Sequence, residues 1–302
     1  MSSFTFTEKQ KGFSKDMFKE ATAFLEKEAV PFAQSSLKEL AGYYLGCRPS
    51  AFSFFGNENI AATTDALCLI EEGINRLALG EPPQYITGIA PFFGYDFHVD
   101  ERVLIPRFDT EVLVENALEY IKDGDRVLDL CSGSGCIGIT AALNRKVLLS
   151  AFDISQGAGE VFEKNCKKLL GGDPFYEKNP PEFILGDIFD GEAIARLADK
   201  KYDFILSNPP YIREEEREDL TKDVLREPHN ALFGGEDGLD FYRRIIPLGK
   251  ELLRRGGYLF FECGKGQSQA IKNIMRENGY ENVSVCLDYS GVDRVVYGIN
   301  QN

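Results

Sequence analysis

From about residue 109 to the C-terminus, short apolar segments alternate with longer amphipathic ones, and this alternation restricts the possible folds more than any other feature. The apolar segments have strand length, and the segments between them carry a helical period. Such alternation predicts an α/β fold with a mostly parallel, doubly wound sheet. The predicted strands are 126–130, 147–152, 182–186, 202–207, 257–262, 282–287 and 292–299, and the predicted helices are 110–121, 136–144, 156–170, 191–199, 238–254 and 266–278.

The end of the predicted sheet departs from the parallel pattern. No helix separates the last two strands, and only the turn residues Ser290-Gly291 lie between them. Two strands joined by a short turn pair in the antiparallel sense. We therefore expect a C-terminal antiparallel hairpin at one edge of the sheet.

The N-terminal part of the chain has a different pattern. Three apolar stripes at helical spacing occupy residues 1–84, which predicts a small helical bundle, and the third stripe ends at Gly80. After Pro82-Pro83, alternation over 95–99 indicates a strand, with 103–105 as its expected hairpin partner. The expected domains are thus 1–84, a hairpin-containing linker at 85–108, and 109–302.

A glycine-rich loop follows the first strand of the predicted sheet. Gly133, Gly135 and Gly138 fit G-x-G-x-x-G, and Asp153 ends the next strand, where a carboxylate can accept both ribose hydroxyls of an adenosine. This pattern suits a nicotinamide dinucleotide. It also suits S-adenosylmethionine, whose positive methionine end would lie near Asp129. The loop alone leaves both ligands open.

The third strand ends in a further candidate position. Asp187 can meet the adenine edge of such a ligand, or it can cap the helix that follows, and the two interpretations have equal weight. Ile188 and Phe189 can form an apolar wall against adenine or belong to the core.

The motif Asn208-Pro209-Pro210-Tyr211 follows the fourth strand, where ligands of open α/β sheets bind. The prolines fix the backbone and remove two donors, so the Asn208 side chain and the Pro209 carbonyl can face a substrate as acceptors. Two acceptors can hold the NH2 of an amide or an aromatic amine and turn its lone pair towards a methyl donor. Tyr211 can stack on that planar group. Together, loop and motif favour S-adenosylmethionine over a nicotinamide cofactor.

The sequence resembles the release-factor glutamine N5-methyltransferases, also called HemK or PrmC, and the predicted sheet resembles that of class I methyltransferases. The resemblance covers nearly the whole chain. It is carried by residues 80–88, 92–94, 104–111 and 208–211, by Glu227-Pro228, Gly234-Gly235 and Asp237-Gly238-Leu239, and by Glu262, Gly264, Gln267, Asp288 and 293–296.

The resemblance implies methyl transfer from S-adenosylmethionine to the glutamine amide in the Gly-Gly-Gln loop of class 1 release factors. Asn208 and the Pro209 carbonyl would hold that amide, Pro210 and Tyr211 would shape the pocket, and the helical bundle would help to dock the release factor. The implied cofactor-binding residues are Asp129, Cys131, Ser132, Gly133, Ser134, Gly135, Asp153, Asp187, Ile188 and Asn208.

Three positions depart from the pattern of this family. Cys131 stands where glycine is common, Phe108 replaces a proline in the linker, and Ile188 stands where an aromatic residue is frequent. The last substitution weakens the case for aromatic stacking on adenine. None removes a group that the chemistry requires.

The alternative is an adenine-N6 DNA or RNA methyltransferase, which shares the Asn-Pro-Pro-Tyr motif and acts on a flipped base. The formal net charge of −14 argues against it, because an acidic surface repels phosphates. A scaffold without activity is disfavoured by the intact Asn208 and loop. The seven scattered cysteines predict neither a metal site nor disulfides. We expect a cytoplasmic monomer that binds neither membranes nor nucleic acid.

Overall fold

The computed structural model describes residues 3–7, 12–54, 59–198 and 200–301. The chain divides into two compact units. The first comprises Met1–Ile89 with Leu220–Arg226, and the second comprises Ala90–Asp219 with Glu227–Asn302. The segment 220–226, which the sequence placed within the C-terminal domain, thus belongs to the first unit.

The first unit is a small bundle of helices around one apolar core. Ser14 and Thr63 begin two of the helices, and each side chain accepts the backbone N–H of the residue three positions later at 3.1 Å. The residues of the three predicted stripes form most of the core. The helices are α1 (Lys15–Lys27), α2 (Ala33–Leu45), α3 (Thr64–Ala78) and α4 (Pro83–Thr87), with a 3-10 segment at Pro49–Phe54.

The second unit begins with a hairpin whose pairing differs from the expected one. The strand β2 (Tyr95–His98) pairs with β1 (Ile89–Phe92), whereas residues 103–105 form no strand. The prediction that 103–105 pair with this strand was wrong, because the residues of the true turn are not typical turn residues. Phe93 and Gly94 both have positive φ, as the preferred two-residue hairpin turn requires, but phenylalanine is rarely found there.

The remaining strands form a seven-stranded sheet, which confirms the predicted fold. Its order is β5-β4-β3-β6-β7-β9-β8, and β9 alone among these seven strands runs antiparallel to the other six. The strands are β3 (Arg126–Leu130), β4 (Leu148–Asp153), β5 (Glu182–Leu185), β6 (Tyr202–Ser207), β7 (Leu253–Glu262), β8 (Tyr280–Leu287) and β9 (Asp293–Asn300).

Helices cover both faces of this sheet. Leu128 and Leu130 of β3 pack into the core on one face, while Val127 packs into the core on the other, as the period of a strand demands. The helices are α5 (Glu111–Leu118), α6 (Cys136–Asn144), α7 (Gln156–Leu169), α8 (Pro174–Lys178), α9 (Gly191–Ala198), α10 (Asp240–Leu252) and α11 (Ser268–Glu277).

The strand order places a crevice between β3 and β6. From β3 the chain proceeds outwards through β4 and β5, then returns to add β6 on the opposite side of β3. Ligands of open α/β sheets bind beyond the carboxyl ends of the strands at such a reversal. Both sequence motifs lie there. Within the described part of the chain, no helix is both long and apolar enough to cross a bilayer.

Candidate active site

The loop after β3 makes a tight turn into α6. Cys131, Gly133 and Gly135 all adopt left-handed backbone conformations, with φ of 60°, 51° and 78°. The Gly135 N–H donates to the Ser132 carbonyl oxygen at 2.7 Å, which closes the turn. Left-handed geometry favours glycine at position 131, which carries Cys131 in this chain. A cysteine there costs about 1–2 kcal/mol of backbone strain.

Asp153 joins the end of β4 to this loop. One carboxylate oxygen accepts the Gly133 N–H and the other accepts the Ser155 N–H, each at 2.9 Å. Burial raises the pKa of Asp153, while these two hydrogen bonds oppose the rise. Each oxygen retains a further lone pair, so this carboxylate can still accept from a ligand.

Asp129 lies fully buried beneath the loop and does not line the cavity. Its Oδ2 accepts the Gly138 N–H at 2.8 Å, but its Oδ1 has no hydrogen-bond partner among the described residues. Burial, together with the nearby charge of Asp153, raises the pKa of Asp129 well above its usual range. A buried carboxylate oxygen without a partner fits a cationic group, as the methionine ammonium of the cofactor would supply.

Asp187 and Ile188 follow β5 at the opposite wall. The Asp187 side chain accepts the Phe189 N–H at 2.9 Å, so it caps the turn after β5. Asp187 also lines the cavity. The capping position immediately before α9 belongs to Asp190, whose side chain accepts the Glu192 N–H at 3.0 Å. Ile188 is buried and also lines the cavity. Of the two roles considered for Asp187, the cap of the following helix is therefore taken by another residue.

A cavity of about 310 Å³ lies between these elements. Its wall brings together Cys131, Gly133, Asp153, Asp187, Ile188, Asn208 and Pro210 of the predicted site. Ser132 and Ser134 line a small adjoining recess with Cys131, Gly133 and Asn208. Gly135, Pro209 and Tyr211 line neither space.

Sequence reasoning missed part of this wall. Phe241 enters from the first turn of α10, where its ring packs edge-on against Phe189 with the ring centroids 5.4 Å apart. Leu104 and Phe233 also contribute from loops, and Asn230 contributes from the 3-10 segment His229–Ala231. Phe241 carries no local signal, because an aromatic residue on an amphipathic helix ordinarily indicates core packing. Leu104 is the first of residues 104–111, which carry the family resemblance, and Asn230 lies two residues after Glu227-Pro228, so the resemblance was the available signal for both.

Asn208 is placed beside the glycine-rich loop by the residue before it. The Ser207 hydroxyl donates to the Leu130 carbonyl oxygen at 2.8 Å, which ties the ends of β6 and β3 together. The Asn208 Nδ2 donates to the Thr110 hydroxyl oxygen at 3.3 Å. Its side-chain oxygen is thus available as an acceptor. In the described part of the chain, no group donates to the Pro209 carbonyl oxygen.

Tyr211 lies behind the cavity wall. Its hydroxyl donates to Oε1 of the buried Glu262 at 3.3 Å, and its carbonyl oxygen accepts from Gln267 Nε2 at 2.9 Å. Burial and the Glu262 charge raise the pKa of Tyr211, so its hydroxyl remains protonated. Tyr211 therefore buttresses the backbone of the motif.

The segment before α5 is anchored over the recess. Glu227 is almost fully buried; it accepts the Ile105 N–H at 2.9 Å and forms an ion pair with Arg107. Arg107 itself lines the recess next to Thr110. This explains why residues 104–111 and Glu227 occur together in the resemblance, although they lie far apart in sequence.

The sheet with its antiparallel end, the glycine-rich loop, and the Asn208 side chain in the cavity wall at the strand reversal define a class I methyltransferase, a class that uses S-adenosylmethionine. Family comparison agrees: the Methyltransferase small domain matches residues 107–239, and the PrmC N-terminal domain matches residues 16–88. A crystal structure of a methyltransferase from Pyrococcus furiosus superposes with a TM-score of 0.51 at 15% identity, covering 70% of this chain and 91% of that one, and supports the fold.

Two relatives identify the family. A release factor glutamine methyltransferase of Clostridium acetobutylicum is 41% identical over 230 residues, which span 75% of this chain and 78% of the relative. Its counterpart from Koribacter versatilis is 36% identical over 289 residues, or 94% and 97% of the two chains. The chain belongs to the release factor glutamine methyltransferase family.

Proposed function

We propose that this protein transfers a methyl group from S-adenosylmethionine to the side-chain amide nitrogen of the glutamine in the Gly-Gly-Gln motif of class 1 release factors. The observation that carries the proposal is the placement of Asn208. Its amide donates to Thr110, so its oxygen is left to accept, and it lines both the main cavity and the adjoining recess. Membership of the family supports the choice of substrate.

The paired acceptors address the main chemical difficulty of the reaction. An amide nitrogen is a poor nucleophile, because its lone pair is delocalised into the carbonyl group. The Asn208 oxygen and the Pro209 carbonyl would each accept one N–H of the substrate amide, and so turn its lone pair towards the donor. Positive charge that develops on the nitrogen strengthens both hydrogen bonds, which favours the transition state over the ground state.

S-adenosylmethionine supplies an electrophilic methyl group on a sulfonium ion. The residues present fit this group: Asp153 would offer lone pairs to the ribose hydroxyls, and Asp187 and Ile188 would contact the adenine. Cys131, Ser132, Gly133 and Ser134 would hold the methionine end, and the unpartnered oxygen of Asp129 would supply a partner for its ammonium group. Gly135 shapes the turn. The remaining contribution of the protein is orientation, and no side chain need remove a proton before transfer.

The proposal assigns separate tasks to the parts of the chain. The first unit, Met1–Ile89 with Leu220–Arg226, helps to dock the release factor, and the second unit, Ala90–Asp219 with Glu227–Asn302, carries catalysis. The expected linker at 85–108 is divided between the two, and its residues Leu104 and Arg107 contribute to the walls of the cavity and the recess. A whole release factor is far larger than a cavity of about 310 Å³, so only its glutamine loop can enter. We further propose that the protein acts in the cytoplasm as a monomer.

An adenine-N6 nucleic-acid methyltransferase remains the second candidate, because it would use the same four-residue motif. The net charge of −14 disfavours it, since phosphate binding needs clustered positive charge. The test supplies labelled S-adenosylmethionine with a release factor, with DNA, or with RNA. We expect label only in the release factor. Mass spectrometry should show a mass increase of about 14 Da in the Gly-Gly-Gln peptide, which corresponds to one methyl group in place of a hydrogen. Labelled nucleic acid beside an unlabelled release factor would reverse the assignment.

A further inference from the structure

The recess beside the main cavity is a small pocket with a charged side chain in its wall. Its volume is about 30 Å³, and it shares Cys131, Gly133 and Asn208 with the main cavity. Since about 10–15 Å³ is enough to hold one water molecule, the recess has room for a group of only a few heavy atoms. Arg107 lines the recess, and the reaction outlined above gives this side chain no task. A cation in so small a pocket calls for an explanation.

Arg107 is held in position but keeps donors for a ligand. Its Nη2 forms an ion pair with Glu227, whose side chain is only 1% exposed and also accepts the Ile105 N–H at 2.9 Å. A guanidinium group has five N–H donors, and within the described part of the chain Arg107 uses one of them on Glu227. The Arg107 side chain is itself 38% exposed. Most of its donors are therefore open to a group that enters the recess.

The second arginine at the site differs in this respect. Arg102 lines the main cavity, but its Nε and Nη2 each donate to Asp100 at 2.7 Å, and its Nη1 pairs with Glu160. Two carboxylates thus compensate the charge of Arg102 and occupy all three of its nitrogen atoms. Among the described residues that line the cavity or the recess, Arg107 is the cation with donors to offer.

Two further features of the recess favour a negatively charged group. Ser132 lines the recess, and its hydroxyl is buried without a hydrogen-bond partner among the described residues. Cys136 and Ile137, the first two residues of α6, line it as well, and the first N–H groups of a helix have no partner within the helix. The N-terminus of a helix carries partial positive charge. The recess thus combines a guanidinium group, an unpartnered hydroxyl and a helix N-terminus.

We propose that Arg107 binds the α-carboxylate of S-adenosylmethionine, and that Ser132 and the first turn of α6 complete this subsite. The inference rests on the proposed function, because it takes S-adenosylmethionine as the ligand, but it does not depend on which molecule accepts the methyl group. The carboxylate is the one anionic group of this ligand and has only three heavy atoms, so it suits the size of the recess. The methionine end, which residues 131–134 would hold, reaches the recess through Ser132 and Ser134.

The surroundings of the ligand make such a cation necessary. Asp153 and Asp187 line the main cavity, and Asp129 lies beneath the loop. These acids suit the ribose hydroxyls and the ammonium group, but they disfavour a carboxylate nearby. Arg107 offsets this effect at the end of the ligand where the carboxylate lies. Asp129 and Arg107 would thus match the two opposite charges of an α-amino acid, and Arg107 would select ligands with a free carboxylate.

The test compares two ligands that differ only at the carboxylate. Decarboxylated S-adenosylmethionine keeps the nucleoside, the sulfonium ion and the amino group. We expect the parent to bind it about 10- to 100-fold more weakly than S-adenosylmethionine, because the charge-assisted hydrogen bonds of the carboxylate are lost. Arg107→Gln should lower the affinity for S-adenosylmethionine by a similar factor. The same variant should bind the decarboxylated ligand as well as the parent does or better, because it removes a cation beside a cationic ligand.

Three more variants make the comparison specific. Arg107→Lys keeps the charge but not the planar fork, and should restore part of the affinity for S-adenosylmethionine. Ser132→Ala leaves the ion pair of Arg107 intact and should lower this affinity about threefold to tenfold, so the subsite can be tested even if the Arg107 variants unfold. Arg254→Gln is the matched control. Arg254 also pairs with a buried acid, Asp203, but it lines neither the cavity nor the recess, so this variant should bind both ligands as the parent does.

Isothermal titration calorimetry measures every affinity without a release factor. Unchanged affinity for S-adenosylmethionine in Arg107→Gln overturns the proposal, and so does an equal loss of affinity for both ligands, which would mean that Arg107 only maintains the shape of the recess. Failure of the proposed function is a separate result. A parent that prefers the carboxylated ligand but methylates no release factor keeps the subsite. A parent that methylates the release factor yet binds both ligands equally does not have it.

Discussion

The carboxylate of Asp153 accepts the backbone N–H of Gly133 at 2.9 Å. This bond joins an acid at the end of one strand to a glycine in the loop after the neighbouring strand, and both residues line the cavity. A loop held in this way is preorganised, because its left-handed turn is already paired with the acid before any ligand arrives. The wall is thus suited to a nucleoside that carries two ribose hydroxyls.

Asp153→Ala should weaken the binding of S-adenosylmethionine by about 1–3 kcal/mol, which corresponds to lost charge-assisted hydrogen bonds. Asp173→Ala is the matched control. Asp173 accepts the Phe175 N–H at 2.9 Å at the start of α8, yet it does not line the cavity. Isothermal titration calorimetry measures both. Equal affinities in the Asp153 variant and the parent would refute the ribose role.

Asn208→Ala should separate catalysis from cofactor binding. Loss of one of two acceptors at the reacting nitrogen should reduce kcat about 10²- to 10³-fold, by analogy with removal of one oxyanion-hole donor. Affinity for S-adenosylmethionine should change little, because Asp153 and the loop remain. Single-turnover methylation and calorimetry on the same preparation give the two quantities. A parallel fall in both would instead make Asn208 a structural residue.

Two glycines of the loop should respond differently to alanine. At Gly133 a Cβ would meet nothing within 4 Å, so Gly133→Ala costs only about 1–2 kcal/mol of backbone strain but projects a methyl group into the ligand space. At Gly135 a Cβ would lie 2.4 Å from the ring of the buried Phe162. Gly135→Ala should therefore lower the free energy of unfolding by about 1–3 kcal/mol more, because the added methyl group overpacks the core.

Thermal unfolding and cofactor titration distinguish the two effects. We expect Gly135→Ala to lower Tm more than Gly133→Ala does. We expect Gly133→Ala to weaken S-adenosylmethionine binding more than Gly135→Ala does, although it lowers Tm less, because Gly133 lines the cavity and Gly135 does not. The opposite ranking of Tm values would contradict the packing role given to Gly135.

Within the parallel sheet, the strands β3 to β6 could be predicted to within one residue at each end, whereas β7 begins at Leu253 and not at residue 257. The predicted bounds of Arg126–Leu130 and Tyr202–Ser207 match the structure, because an interior strand buried on both faces is mostly apolar and therefore stands out in the sequence. The β1–β2 hairpin could not be paired correctly, since its turn places Phe93 at positive φ without a typical turn residue. Tertiary contacts, such as the Glu111 carboxylate that accepts the Phe93 N–H at 2.7 Å, hold that turn and leave no local pattern.

The candidate site likewise contains residues that local sequence patterns predict and others that only tertiary structure reveals. The place of the loop and the motif was predictable because each follows a strand, and parallel strands bring their carboxyl ends to one edge. The individual roles were less so: Pro209 and Tyr211 line neither the cavity nor the recess, and the Tyr211 hydroxyl is bonded to the buried Glu262.

Phe241 was not predictable, because an aromatic residue on an amphipathic helix ordinarily packs into the core. Only the fold shows that this ring lines the cavity. The hydrogen bond from Asn208 to Thr110 joins residues 98 positions apart, so no local sequence pattern predicts it.

The unpaired oxygen of Asp129 makes a prediction about stability and pH. Burial raises the pKa of Asp129 well above its usual range, so the native state holds this proton more tightly than the unfolded state does. Above about pH 4, the usual pKa of the unfolded side chain, unfolding releases the proton. The contribution of Asp129 to stability therefore falls as the pH rises from about 4 to its native pKa.

Asp129→Asn removes that cost while it preserves the shape of the side chain and an acceptor for the Gly138 N–H. The variant should be more stable than the parent at pH 7 by about 1–3 kcal/mol, and the difference should disappear as the pH falls towards about 4. It should also bind S-adenosylmethionine more weakly, because an amide cannot ionise to pair with the methionine ammonium group as the carboxyl group of Asp129 can. Urea unfolding at several pH values measures the first effect, and calorimetry measures the second.

Asp203→Asn is the control with the opposite sign. Asp203 is buried to a similar degree, but it accepts the Arg126 N–H at 2.6 Å and pairs with Arg254, so its charge is compensated. Neutralising it should lower stability at pH 7, since Arg254 loses its partner. If both asparagine variants lost stability at pH 7, the orphaned oxygen of Asp129 would have a partner in the free protein. The carboxylate would then be structural rather than held ready for a cation.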